Sequence, residues 1–216
     1  MTYDLQARNR RYPLVEHFHT FQGEGVHAGR SAYFIRTYGC PVRCPWCDSA
    51  NTWHPEHRPN NVPKMTASEL VDLASSGRPD FVVITGGEPA VHDLRPLTDG
   101  LHAAGLPVHI ETSGTFPLQG DFDWVTVSPK VYKDPLPELI QRANELKLII
   151  ENADSIRYWE DKLGNELTRT DRHVWLHPEW DQRDNPDILA LIAETVRLRG
   201  TPFRAGWQMH KLYRVL

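Results

Sequence analysis

The sequence predicts an α/β fold in one domain: a partial, open β/α barrel of about six β/α units. Three observations carry that expectation. Short runs of branched and aromatic residues alternate with segments whose apolar residues recur at helical spacing, the pattern of a parallel sheet with right-handed crossovers. Polar and glycine-rich signals follow strand after strand, where a β/α barrel carries its ligand face. The chain has 216 residues, short of the about 250 typical of a closed eight-unit barrel.

Residues 1–14 read as a loose lead-in, with the domain proper spanning 15–216. Residues 15–18 make a short first strand that enters the turn Thr20-Phe21-Gln22-Gly23-Glu24-Gly25, whose glycines let backbone approach a ligand. Residues 32–37 form a strand rich in branched and aromatic side chains. It leads directly into Cys40-Pro41-Val42-Arg43-Cys44-Pro45-Trp46-Cys47, where two prolines exclude a helix. Residues 51–64 are a polar loop carrying His54, His57 and three prolines.

Thr66-Ala67-Ser68-Glu69 is a capping box that starts a helix carrying Leu70 and Leu73 inward. Residues 81–85 are an apolar run of strand length, expected to be buried on both faces, and it ends in Gly86-Gly87-Glu88-Pro89. Leu94, Leu97 and Leu101 repeat at helical spacing, and Gly105 closes that helix. Strands follow at 108–112, 124–127 and 145–150, the first trailed by Ser113-Gly114 and the second by Ser128-Pro129-Lys130. A helix over 154–162, a strand at 174–176 ending at His177-Pro178, and a helix through Ile188, Leu191, Ile192, Thr195 and Val196 come next. Gly200 stops that helix, and residues 203–208 read as strand. No internal repeat, low-complexity tract or linker interrupts the pattern.

A formal charge of -4 gives no support to nucleic acid or an anionic membrane as the partner. No apolar run approaches a membrane span, and residues 1–12 lack the apolar stretch of a secretory signal. All three cysteines lie within eight residues, unpaired in number, which places the protein in a reducing cytoplasm.

The C-x3-C-x2-C spacing concentrates soft thiolate ligands on one short loop. Three thiolates are one short of a tetrahedral zinc set and one short of an electron-transfer iron–sulfur cube. They point to a cube with one iron left open for a small ligand, with a Cys3His zinc site using His54 or His57 as the competitor. Gly86-Gly87-Glu88 would suit the amine-bearing end of such a ligand, offering backbone groups and a carboxylate that accepts from an ammonium. Arg36 inside its strand is either an anion-binding group or a solvated edge residue.

With an aromatic residue before its last cysteine, the loop resembles that of the radical S-adenosylmethionine (SAM) enzymes, and Gly86-Gly87-Glu88-Pro89 resembles their GGE motif. The resemblance extends to an ordered series: Phe21-Gln22-Gly23-Glu24-Gly25, Arg36, Cys44-Pro45-Trp46-Cys47-Asp48, Thr85 to Pro89, Glu111-Thr112-Ser113-Gly114, Ser128-Pro129-Lys130, Asn144-Glu145-Leu146-Lys147, and Gln208 with His210-Lys211. That series is similar to the 7-carboxy-7-deazaguanine synthases, from about Glu16 to the C-terminus.

The resemblance implies a [4Fe-4S] cluster on Cys40, Cys44 and Cys47. It implies SAM contacts from Trp46, Cys47, Asp48, Gly87, Glu88, Ser128, Pro129 and Lys130, with Glu111 a further member. Phe21, Gln22, Gly23, Arg36, Thr85, His210 and the C-terminal Leu216 would line a pterin site, and Ser49 would stand near Mg2+. The implied reaction is that of a lyase, taking 6-carboxy-5,6,7,8-tetrahydropterin to 7-carboxy-7-deazaguanine with loss of ammonia, in 7-deazapurine (queuosine-type) biosynthesis. A 5′-deoxyadenosyl radical starts it and SAM is regenerated. An electron donor such as flavodoxin or ferredoxin and a homodimer are also implied. Ser49 stands where the family usually has Thr, and His177 where it often has Gln, which leaves a SAM contact at 177 open. Two other readings stand beside this one: a glycyl-radical-type activating enzyme acting on a protein, and a non-catalytic zinc-binding module. The Gln22 turn, Arg36 and His210 favour a small anionic substrate over a protein.

Overall fold

A computed structural model of the chain describes residues 5–215. Nine strands, β1 (Arg11–Phe21), β2 (Ser31–Thr37), β3 (Lys64–Thr66), β4 (Phe81–Gly86), β5 (Val108–Thr112), β6 (Trp124–Val127), β7 (Glu145–Ile150), β8 (His173–Pro178) and β9 (Phe203–Ala205), form a single sheet. Their order is β3-β1-β2-β4-β5-β6-β7-β8-β9. From β2 onward along that order every pairing is parallel, while β1 runs antiparallel to both β2 and β3. The helices are α1 (Leu5–Arg8), α2 (Ala67–Gly77), α3 (Arg95–Ala103), α4 (Pro137–Arg142), α5 (Ser155–Leu163), α6 (Pro186–Arg199) and α7 (Met209–Tyr213). The order is linear, with β3 and β9 as free edges, so the barrel is open as expected.

Strand alternation divides the apolar residues between two places. Ile35, Val82, Ile84, Ile110, Leu146, Leu148, Val174 and Leu176 join the main core between the sheet and the helices. Each such side chain contributes about 1.5–3 kcal/mol on burial. Ala32, Phe34, Phe81 and Val83 point the other way and form a second, small cluster inside the barrel. The run at β4 is therefore buried on both faces. Continuing inward at the C-terminal ends of the same strands are Arg36, Thr85, Glu111, Lys147 and His177, so the interior passes from apolar to polar toward one rim.

The lead-in over 1–14 is a correction. β1 begins at Arg11, and Tyr12 and Leu14, each 1% exposed, belong to the main core. Two apolar residues separated by Pro13 are too short a pattern to read as strand; pairing with β2 and β3 on its two sides is what orders them. β1 also carries a bulge: Leu14 pairs with Thr37 but Glu16 with Arg36, so Val15 has no partner.

α2 begins with the expected capping box, Thr66 and Glu69 each accepting from the other's backbone N–H. Leu70 is buried, but Leu73 is half-exposed and Ala74 takes its place inside. The strand expected over 203–208 stops at Ala205. A 3-10 turn, Ala50–Thr52, opens the loop expected over 51–64, which runs into β3. No helix among the described residues is long and apolar enough to cross a membrane.

Candidate active site

At the C-terminal rim of the parallel strands lies a cavity of about 420 Å3. The loop after β2 supplies one wall, with Cys40, Cys44, Cys47, Trp46, Asp48 and Ser49. It is pinned by Gly39 N–H to Thr52 O at 2.8 Å and Cys47 N–H to Cys44 O at 3.2 Å, and Arg43 takes a left-handed φ of 57° to turn it. The loop after β4 lies directly against it: Gly87 N–H donates to Thr37 O and Glu88 N–H to Gly39 O. A Cβ on Gly87 would collide with the Gly39 carbonyl and with Cys40, so glycine is needed for the two loops to touch.

The three thiols are free. Burial pushes Cys44 up to about 11 and raises Cys40 as well, so these groups ionise readily only against positive charge. An iron–sulfur cluster supplies such charge, and ligand deprotonation then couples to its binding. Among the described residues no three His, Cys, Asp or Glu side chains converge to hold a single ion. A tetrahedral zinc needs that convergence, whereas a cube presents a separate iron to each thiolate and takes cysteines spread around a bowl. His54 and His57 pack on each other with tilted rings, centroids 4.9 Å apart, and neither lines the cavity. The donor set thus fits the cube.

Glu88 reaches the cavity wall with its carboxylate already engaged by the protein. It is 1% exposed and its carboxylate accepts from Thr112 Oγ1 (2.6 Å), Ala90 N (3.1 Å), Ser113 N (2.8 Å) and Ser113 Oγ. Four internal donors fill its lone pairs, leaving the backbone of Gly86 and Gly87 to meet an ammonium. Ser128 lines the cavity and holds Lys130, whose Nζ donates to Ser128 O and Oγ and lies 5.6 Å from the Trp46 ring centre. Burial, with Lys147 nearby, lowers the Lys130 ammonium. Pro129 is buried behind this wall rather than lining it.

Across the cavity, Gln22 Nε2 and Thr85 Oγ1 both donate to Glu111, at 3.0 and 3.1 Å. Glu111, placed with SAM from the sequence, therefore stands among the residues assigned to the pterin. Arg36 lines the same side. Gly23 packs so closely on His210 that a Cβ there would overlap the imidazole. Phe21 lines the cavity and meets Tyr213 edge-on at 5.5 Å. Leu216 lies outside the described residues.

Comparison with known proteins adds the decisive observation. The radical SAM superfamily pattern matches residues 34–157. A 7-carboxy-7-deazaguanine synthase of Synechocystis sp. is 44% identical over 201 residues, 93% of this chain and 91% of the relative. One from Escherichia coli is 38% identical over 222 residues, 93% of this chain and 97% of the relative. The crystal structure of QueE from Escherichia coli superposes with a TM-score of 0.81 at 33% identity, covering 95% of this chain and 98% of that one. The chain belongs to the radical SAM superfamily, in its 7-carboxy-7-deazaguanine synthase family.

As a radical SAM protein it uses a [4Fe-4S] cluster and SAM, and the cysteine bowl and glycine loop are where this chain offers to hold them. Several site residues of this family member carried no readable role in the sequence. Glu24 and Lys147 form an ion pair at 2.6 Å inside the barrel. Burial opposes the Glu24 charge, yet Lys147 holds its carboxyl well below the usual range; burial likewise opposes the Lys147 charge, yet Glu24 and Glu111 hold it above. Gln208 Nε2 donates to both Glu24 (2.7 Å) and Asp48 (3.1 Å), and Lys211 reaches Asp48 at 3.4 Å. Burial opposes the Asp48 charge as well, and Lys211 and Gln208 lower its carboxyl in spite of it. Glu145 anchors the turn after β1 by accepting from Val26 N, and it accepts from Thr126 Oγ1 and Trp175 Nε1 too. The motif at Asn144 to Lys147 marked these positions, but the partners in the turn after β1, Val26 and Glu24, lie more than a hundred residues away. His177 lines the cavity with its Nε2 buried and unpartnered.

Proposed function

We propose that this chain is a 7-carboxy-7-deazaguanine synthase that converts 6-carboxy-5,6,7,8-tetrahydropterin to 7-carboxy-7-deazaguanine with loss of ammonia, in 7-deazapurine biosynthesis. The observation that carries the reading is that Arg36, Glu111, Gln22 and Thr85 line the same cavity as the three cysteines. A bicyclic acid needs a fork of N–H donors for its carboxylate and acceptors for its amino-pyrimidine edge. Arg36 offers the first, and Glu111, held by Gln22 and Thr85, offers the second.

When bound, the cluster and SAM supply one-electron chemistry that starts hydrogen abstraction from the substrate. The chain's residues bind, orient and shield. Gly87 lets the glycine loop lie on the cysteine loop, fixing the distance between the two binding surfaces. Gln208, His210 and Lys211 close the cavity's flank through Glu24, Gly23 and Asp48, which keeps water from the reacting centre. Ser49 Oγ, donating to Asp48 Oδ1 at 3.3 Å, gives an oxygen pair suited to Mg2+, which binds through few protein groups and keeps waters and substrate oxygens. Arg36 Nη1 lies 3.5 Å from that same Oγ, so a cation is favoured there only once the substrate carboxylate is present. Electrons come from an external one-electron carrier, and the reaction runs in a reducing cytoplasm.

The test is an anaerobic assay of the reconstituted protein with SAM, a chemical reductant and the carboxy-tetrahydropterin. Formation of 7-carboxy-7-deazaguanine and ammonia is the expected result. SAM cleavage with the pterin left untouched would overturn the substrate assignment.

A further inference from the structure

Arg36 does not face the cavity alone. Its Nε donates to Glu16 Oε1 at 2.7 Å, and the two residues are direct partners across β1 and β2. Glu16 is there because of the bulge. Tyr12 and Leu14 point into the core on the helix side, and in an unbroken strand Glu16 and Phe18 would follow them. The extra residue, Val15, reverses the alternation, so Phe18 packs with Phe34 and Phe81 inside the barrel and Glu16 lines the cavity.

A carboxylate at 2.7 Å weakens the Coulombic attraction of a guanidinium for any second anion, so whatever Glu16 adds to carboxylate affinity comes through the orientation of Arg36 and not through charge. Glu16 is well placed to set direction. A guanidinium can meet a carboxylate through Nε and one Nη or through its two terminal Nη groups. Glu16 occupies Nε, and Nη1 lies toward Ser49 beside the last cysteine.

We propose that Glu16 is a positioning residue: it holds Arg36 by Nε so that the terminal Nη pair is presented end-on to the substrate carboxylate, which lets the site tell a carboxylated pterin from an uncharged one. This rests on the pterin reading of the cavity. The bulge at Val15 is then the backbone device that delivers the selectivity, and Arg36 alone would be a mobile cation with several ways to meet an anion.

The experiment measures binding to the reconstituted holoenzyme with SAM and no reductant, so no turnover occurs. Two fluorescent probes are titrated, 6-carboxypterin and 6-methylpterin. In Glu16→Ala, affinity for 6-carboxypterin should fall about tenfold, the scale of one charge-assisted hydrogen bond, with 6-methylpterin unchanged. Glu16→Gln keeps an oxygen for Nε and should restore 6-carboxypterin binding to within about threefold of the parent, since the contact is a hydrogen bond as well as an ion pair. The KM for the carboxy-tetrahydropterin should follow the same order, with SAM cleavage in the absence of pterin unaffected. Unchanged selectivity in Glu16→Ala overturns the proposal. So does tighter binding in both variants, which would make Glu16 only an opposing charge, and so does equal weakening of both probes with a lower Tm, which would make it only structural. A parent protein that binds the two pterins alike overturns the assignment of Arg36 to the carboxylate as well, and with it the reading beneath; retained product formation in the anaerobic assay separates that result from failure of the function itself.

Discussion

At Arg36 a lysine would keep the charge and lose the fork. A Lys ammonium can still pair with Glu16, but it cannot also offer two parallel N–H donors to a carboxylate. Arg36→Lys should raise the KM for the carboxy-tetrahydropterin about ten- to a hundredfold, while reductant-driven SAM cleavage without pterin persists. A parent-like KM would make Arg36 an ordinary strand residue. His177 supplies a second test at this scale. It is 2% exposed, and burial pushes its imidazole down to about 4 from an ordinary 6.5, with Lys147 reinforcing the shift and Glu24 opposing it. Its folded pKa lies below the unfolded one, so the stability it contributes is complete above about pH 6.5 and is lost as pH falls toward 4. His177→Gln removes that titration. The stability difference between parent and variant should therefore change by about 2–3 kcal/mol between pH 7.5 and 4.5, read from urea midpoints. His109, pushed down to about 3 by burial and by His27, titrates in both proteins and cancels. Parallel pH profiles would show that His177 has a partner in solution. Residues of this kind divide by range. Cys40, Cys44, Cys47, Gly87 and Arg36 were legible because a local motif announces them. Glu16 and Lys147 were not, because a bulge and a contact across the barrel give them their place. Glu88 was found by its motif, but the internal donors that surround its carboxylate were not, since spacing says nothing of them.

Among the elements, α2 was the most legible, because its start is written in four consecutive residues. Thr66 Oγ1 accepts from Glu69 N at 3.2 Å, and Thr66→Ala should cost about 1 kcal/mol of stability. The inward face was misread by one position: Leu70 is fully buried and Leu73 is 36% exposed. Leu70→Ala should accordingly cost about 2–5 kcal/mol, and Leu73→Ala clearly less, because part of that side chain already faces water and no closed cavity is left. Equal losses in chemical denaturation would contradict the packing described. α1, α4 and α7 escaped notice for a physical reason. Elements of four to six residues show at most one repeat of a helical period, too little to stand out from a loop. The bulge in β1 leaves no trace at all in the alternation of Tyr12, Leu14, Glu16 and Phe18, which reads as one face. Only the pairing partner reveals the reversal.

For the molecule as a whole, alternation of strand and helix was enough to foresee an open parallel barrel, because crossover handedness leaves few other arrangements. What fills its open side was not foreseeable. The turn after β1 crosses the interior to β7, where Lys147 takes Glu24 and Glu145 takes Val26 N. From Glu24 the contacts continue through Gln208 to Asp48, next to the last cysteine. Lys147 therefore ties the first hairpin, the far side of the sheet, the C-terminal segment and the cysteine loop together. Lys147→Met leaves Glu24 buried without its countercharge and Glu111 without a neighbouring cation, and it should destabilise the protein by about 3–5 kcal/mol. Glu24→Gln combined with Lys147→Met removes both charges of the pair at once. The double variant should be clearly more stable than the sum of the two single changes implies, because an unpaired buried charge costs more than the pair's absence. Strict additivity in urea denaturation would show that water reaches Glu24 and that the pair is a surface contact. The iron content of Lys147→Met after anaerobic reconstitution should fall with its stability, since Gln208 and Asp48 carry the loss of the clamp to the cysteine loop. Full iron retention in a destabilised variant would confine the clamp's effect to the hairpin and the sheet.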